Sequence, residues 1–175
     1  MLVSSKIVTR GVAAYLAVLL AGAAAGCSMA QMPAGGIPAE CQTMDMTPYS
    51  APQNLDVAVS PQKTAHFAVE IADNDSTREQ GLMCRTHLAD DQGMLFEFQD
   101  ISDRTFWMKD TLLGLDIIYI APDGRIVSIA KNAKPLDRTP LPSNGVASGV
   151  LEVRAGLSDE LGLQPGDKVI HPFFQ

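Results

Sequence analysis

From Leu115 to Ile129 the chain reads strand, turn, strand. Leu115-Asp116-Ile117-Ile118-Tyr119-Ile120 is a short apolar run rich in β-branched residues. Ala121-Pro122-Asp123-Gly124 is a strong turn signal, and Arg125-Ile126-Val127-Ser128-Ile129 resumes an extended pattern. A hairpin at this place makes the rest of the chain answer to a sheet, and most of it does. Residues 55–59 and 65–72 alternate, with Phe67, Val69 and Ile71 on one face, and Ser60-Pro61-Gln62-Lys63 breaks the two runs apart. Residues 93–98, 146–153 and 168–170 also read as strands. Residues 99–104 are polar and predict a turn, after which 105–109 resume an extended run. Residues 131–145 hold three prolines without apolar periodicity and predict a long exposed loop.

Two short helices complete the pattern. Ser76-Thr77-Arg78-Glu79 has the S-x-x-E spacing of a capping box, which predicts a helix over 77–85. Gly81 within it implies close packing against another element. A second helix is predicted between Ala155 and Gly162, with Gly162 placed to end it. The expected fold is α+β and β-rich, a compact, partly closed barrel of short strands with two short helices.

The N-terminus sets the compartment. Lys6 and Arg10 precede an apolar run over residues 12–25, and small residues follow, as in a secretory signal. The run is shorter than the roughly 20 apolar residues of a spanning helix. Ala24-Ala25-Gly26-Cys27 is similar to the lipobox of bacterial lipoproteins, in which the cysteine is lipidated. Ala24 stands where that pattern prefers Leu, and ordinary cleavage after Ala25 or Ala30 is the alternative. The expectation is a signal peptide over 1–26, a flexible tether over 27–53 rich in Ala, Gly, Met and Pro, and a folded domain over 54–175. The protein would be exported to the periplasm and held at the membrane by a lipid on Cys27 alone. An oxidising compartment favours a disulfide between Cys41 and Cys84 over a metal site at Cys84-x-x-His87, for which His66 and His171 offer no paired spacing. No metal and no cofactor are expected.

The formal charge is −7, and without the signal segment, which carries two cations and no acid, it becomes −9. That balance argues against nucleic acid as a partner. It also makes the aromatic residues Phe96, Phe98, Phe106 and Trp107 better candidates for the core than for base stacking.

Charges inside apolar runs mark the candidate site. Lys109 and Asp110 follow the only tryptophan, Trp107; Asp116 and Glu152 interrupt apolar strands; Arg85 ends the first predicted helix. Burying such groups is costly unless they are paired. They are read either as a structural network that fixes strand register or as a pocket for a small polar ligand beside Trp107. A third reading gives Asp116 and Glu152 acid–base roles, with Lys109, in a small hydrolase or transferase. Motifs for a nucleophile elbow, a phosphate loop or a zinc protease are missing from the sequence.

Several runs together resemble the DUF192 family of small uncharacterised domains. They are Arg78-Glu79-Gln80-Gly81-Leu82-Met83-Cys84-Arg85, Gly93-Met94-Leu95-Phe96, Phe106-Trp107-Met108-Lys109-Asp110-Thr111, the Leu115–Ile120 strand and Val150-Leu151-Glu152-Val153. The resemblance spans residues 67–169. Asp110 stands where the family pattern often has Asn, and Cys84 also departs from it. The resemblance implies a small β-rich fold and frequent export, and it carries no catalytic assignment. A binding or accessory role in the cell envelope, toward a small polar ligand or an envelope protein, is the expectation that follows.

Overall fold

The alternation that begins at Leu55 becomes a strand pair, β1 (Gln53–Ser60) and β2 (Lys63–Ala72), antiparallel with Leu55 opposite Phe67. The computed structural model describes residues 36–175. The predicted signal segment, Cys27 and the first part of the predicted tether lie outside them. Helix α1 (Asp75–Gln80) follows, then β3 (Gln92–Phe106), β4 (Leu115–Ile120), β5 (Ile126–Ala133), β6 (Leu141–Arg154), helix α2 (Leu157–Leu161) and β7 (Lys168–Ile170). The seven strands form one sheet in the order β5-β4-β6-β3-β2-β1-β7. Every neighbouring pair is antiparallel except β2 with β3, which run parallel across α1.

The two edge strands approach each other. Arg125 forms a bridge with Lys168, the Ile126 N–H donates to the Asp167 carbonyl, and the Val169 N–H donates to that of Gly124. The sheet thus curls into a partly closed barrel, the architecture expected from the strand pattern. One face of every strand feeds the interior, where Leu55, Phe67, Leu95, Ile118, Ile126, Leu151 and Val169 belong to a single cluster with Leu157 and Phe174. A second cluster lies on the opposite face of β3, β4 and β6, built on Met94, Phe96, Ile117, Tyr119 and Val150 and joined by Leu82 and Met108. β4 is buried at all six positions because both of its faces are covered, which accounts for its unbroken apolar run.

Local readings are corrected at four places. No turn forms over 99–104: β3 continues to Phe106, paired to β6 through register shifts between Glu97 and Ser102 and between Asp103 and Thr105. The exposed loop expected over 131–145 shrinks to 134–140, because β5 runs to Ala133 and β6 starts at Leu141. Helix α1 is capped by Asn74, whose side chain accepts from the Thr77 N–H while Thr77 answers the Asn74 N–H, two residues ahead of the predicted box. Gly81 ends this helix at φ 50°, where a Cβ would lie 3.1 Å from the Phe96 ring. The close packing inferred for Gly81 is present, outside the helix and not within it.

Residues 39–50 lie against the barrel. Cys41, in a 3-10 turn (Ala39–Gln42), is bonded to Cys84. The Tyr49 hydroxyl donates to the Gly81 carbonyl at 2.7 Å, and Ser50 Oγ accepts from the Ile71 N–H at 3.0 Å. This part of the predicted tether is therefore fastened at several points, by groups that a composition rule does not weigh.

Candidate functional site

The register of β4 and β6 sorts the two suspicious carboxylates. Asp116 sits opposite Val153 and Ile117 opposite Glu152. Val153 belongs to the barrel interior and Ile117 to the outer cluster. Because paired residues share a face and neighbours alternate, Asp116 points into the barrel and Glu152 away from it.

Asp116 is fully buried and fully engaged. Its Oδ1 accepts the N–H groups of Asn132 at 2.8 Å and Gly156 at 3.1 Å, and Oδ2 accepts that of Ser158 at 2.9 Å. It thereby caps the N-terminus of α2, where backbone donors have no partner within the helix. Joint acid–base roles for Asp116 and Glu152 would need both carboxylates at one cleft, and the two lie on opposite faces of the sheet.

Glu152 is 5% exposed, and among the described residues no hydrogen bond or ion pair reaches its carboxyl. Burial alone pushes it up from 4.5 to about 8, because a charge without water or a partner is unfavourable. It lines a cavity of about 280 Å³ together with Lys109, Trp107, Phe106, Thr111 and the end of α1. The phenols of Tyr49 and Tyr119 are raised mainly by burial and in part by the Glu152 charge, Tyr49 to about 12.

The wall of this cavity is made where β3 ends. Phe106 is its last residue and meets Phe96 edge-on at 5.0 Å and Tyr119 at 6.0 Å. The extended run expected to continue through Lys109 stops here. The Met108 N–H donates to the Asp137 carbonyl, the Cys84 N–H donates to that of Asp110, and Asp110 takes φ 50°. The chain therefore turns over the outer cluster. Met108 is buried while Trp107 remains 51% exposed at the cavity mouth.

Lys109 Nζ stands 3.9 Å from Asp110 Oδ2, and Arg138 stands 3.7 Å from Oδ1 of the same buried carboxylate. Asp110 is thus shared by two cations behind the cavity. Arg85 is directed elsewhere: it pairs with Glu70 at 3.0 Å and lies over the Tyr49 ring at 5.8 Å. Of the six candidate residues, the structure brings Trp107, Lys109 and Glu152 to the cavity, sets Asp110 beside Lys109, and leaves Arg85 and Asp116 in other roles.

Arg78 lines the cavity and was not among the candidates. Its guanidinium donates to the Glu97 carbonyl at 2.8 Å and to Asp75 at 2.6 Å, and lies 5.3 Å from the centre of the Phe98 ring. The run Arg78-Glu79-Gln80-Gly81 was conspicuous only for its resemblance. Its position at the end of α1, over Phe96, is what makes it part of the site. Cys84, being disulfide-bonded, has no thiolate to offer a metal. Glu97 lies 3.7 Å from His171 Nδ1, and burial raises the acid and lowers the imidazole.

The sequence profile of the DUF192 family, described as an uncharacterized ACR, matches residues 57–171. A crystal structure of a protein from Sinorhizobium meliloti 1021, provisionally described as a transcription regulator, is similar at 39% identity and a TM-score of 0.67. That match covers 69% of this chain and 93% of the other. A protein of unknown function from Novosphingobium aromaticivorans DSM 12444 is similar at 35% identity and a TM-score of 0.66, over 78% of this chain and all of the other. Among curated proteins, none matches.

Proposed function

The chain belongs to the DUF192 family, and from that premise we propose that it is an exported, lipid-anchored domain of the cell envelope that binds a small polar ligand in the cavity between Glu152 and Trp107. One observation carries the ligand role: a buried carboxyl without a partner opens onto a cavity of ligand size. In a site that served packing alone, such a group would be paired or replaced, because burying it unpaired costs several kcal/mol. Binding is favoured over catalysis because Asp116, the second carboxylate of the acid–base scheme, caps α2 instead. Export is supported by the charged start, the short apolar run and the Cys41–Cys84 disulfide. The lipid on Cys27 rests on the lipobox likeness.

A thermal-shift screen of polar envelope metabolites tests the binding role, since a ligand of the native state raises its stability. Trp107→Ala should abolish the shift given by any hit while altering the ligand-free stability by no more than about 0.5 kcal/mol, as for an exposed side chain. A screen without hits, or hits indifferent to Trp107, would count against the cavity. Mass spectrometry of the mature protein tests the anchor: a free N-terminus at Gly26 or Gln31, without acyl mass, would remove it.

A further inference from the structure

The charged groups around the cavity, two cations and two acids, are unequally engaged. Arg78 is committed to Asp75 and the Glu97 carbonyl, and Lys109 leans on Asp110. Glu79, exposed at the mouth, adds negative charge. Among the described residues neither Glu79 nor Glu152 has a counter-charge or a hydrogen bond, but Glu79 is exposed to water, whereas Glu152 is the most deeply buried ionisable group of the lining. Four aromatic residues, Phe96, Phe98, Phe106 and Trp107, supply much of the apolar wall, beside Leu82 and Met83.

We infer that the ligand carries a protonated amine on a small apolar or aromatic body, its ammonium seated on Glu152 and its body against Phe106 and Trp107. This rests on the binding reading above and narrows it to one chemical class. An ammonium supplies the missing counter-charge, and ring systems attract a cation through their quadrupole. A carboxylate ligand would instead bring a second acid against Glu152, while the cations of the lining already lean on other acids, Arg78 on Asp75 and Lys109 on Asp110. A neutral polyol could take a hydrogen bond from the protonated acid but would leave the aromatic walls in contact with water. The volume admits one small molecule, at the lower end of ordinary ligand sites.

The test uses the full chain and three probes of one shape: benzylamine, benzyl alcohol and benzoate. Trp107 is the only tryptophan, so its fluorescence reports on the cavity mouth directly. Benzylamine should change that fluorescence saturably, with benzyl alcohol and benzoate at least tenfold weaker. Glu152→Gln, which keeps the side-chain shape, should weaken benzylamine tenfold or more and bring it level with benzyl alcohol. The comparison of probes on the unaltered chain decides the matter even if that variant fails to fold. Benzoate or benzyl alcohol binding as tightly as benzylamine would overturn the amine while leaving a working pocket. No saturable response to any of the three would overturn the amine and the pocket together.

Discussion

Glu152 and Asp116 occupy diagonal positions of one strand pair, on opposite faces of the sheet, and live in opposite circumstances. In the unfolded chain Glu152 loses its proton near 4.5, whereas in the folded protein it holds it to about 8. Between those values the folded state binds more protons, so stability falls as pH rises through the window, and the whole penalty stands above it. Its size is several kcal/mol. Arg78, Glu79 and Lys109 are the other charged groups of the lining. The expected outcome is that Glu152→Gln melts higher than the parent at about pH 8.5, and that the gap narrows toward about pH 5; parallel melting curves across that range would mean that water reaches the carboxyl freely. Asp116→Ala should do the reverse, losing three acceptor contacts to N–H groups that are buried or partly buried and destabilising by about 3–5 kcal/mol at neutral pH, as urea unfolding would measure. That both acids were unusual was legible from their apolar surroundings. Which one was satisfied was not, because the donors to Asp116 come from Asn132, Gly156 and Ser158, brought together only by the pairing of β4 with β5 and β6.

The 39–50 strap and the loop over 81–85 behave as one element, joined covalently at Cys41 and Cys84 and non-covalently at Tyr49. The sequence separation of 43 residues corresponds to about 4 kcal/mol of chain entropy removed from the unfolded state. Replacing both cysteines by serine should lower the unfolding free energy by up to that amount. Equal urea midpoints for the parent with and without reductant would show that the bond contributes nothing. Since Gly81, Leu82 and Met83 line the cavity, the loss should also loosen its wall. The cap of α1 shows how close local reasoning came at this scale. Two boxes compete within six residues, Ser76 with Glu79 and Asn74 with Thr77, and pattern alone does not choose between equal acceptors. Strand lengths were less legible. Residues 99–104 look like a turn because they are polar, and 141–145 look like a loop because of Pro142. Both join the β3–β6 pair, Ser102 and Asp103 opposite Ala147 and Val146, and Pro142 opposite Thr105, and a pattern read along one strand is blind to its partner.

At the scale of the whole molecule, the partly closed barrel and its two short helices were readable from the spacing of apolar runs, but the pairings that order and close it were not. The parallel pairing of β2 with β3 and the seam between β7 and the start of β5 join residues far apart in the chain, and nothing in either segment names its mate. The seam depends on Gly124. This residue takes φ 80°, and a Cβ there would lie 2.6 Å from the Val169 carbonyl oxygen, a backbone atom of the strand that closes the barrel. Gly149 offers a useful contrast: its Cβ would lie 2.5 Å from the end of the Phe174 ring, a side chain and not backbone. Gly124→Ala must therefore push β7 off, and it adds the strain of a left-handed alanine, for a loss of about 2–4 kcal/mol. Gly149→Ala should be milder if the ring moves. Hydrogen exchange gives the sharper reading, because the Val169 N–H donates to the Gly124 carbonyl at 2.8 Å. In Gly124→Ala the Val169 amide should lose protection while the β4–β6 amides keep theirs, as local opening predicts. If Val169 stays as protected as β4 in that variant, the seam tolerates a side chain and closure is held by Phe174 and the interior cluster instead.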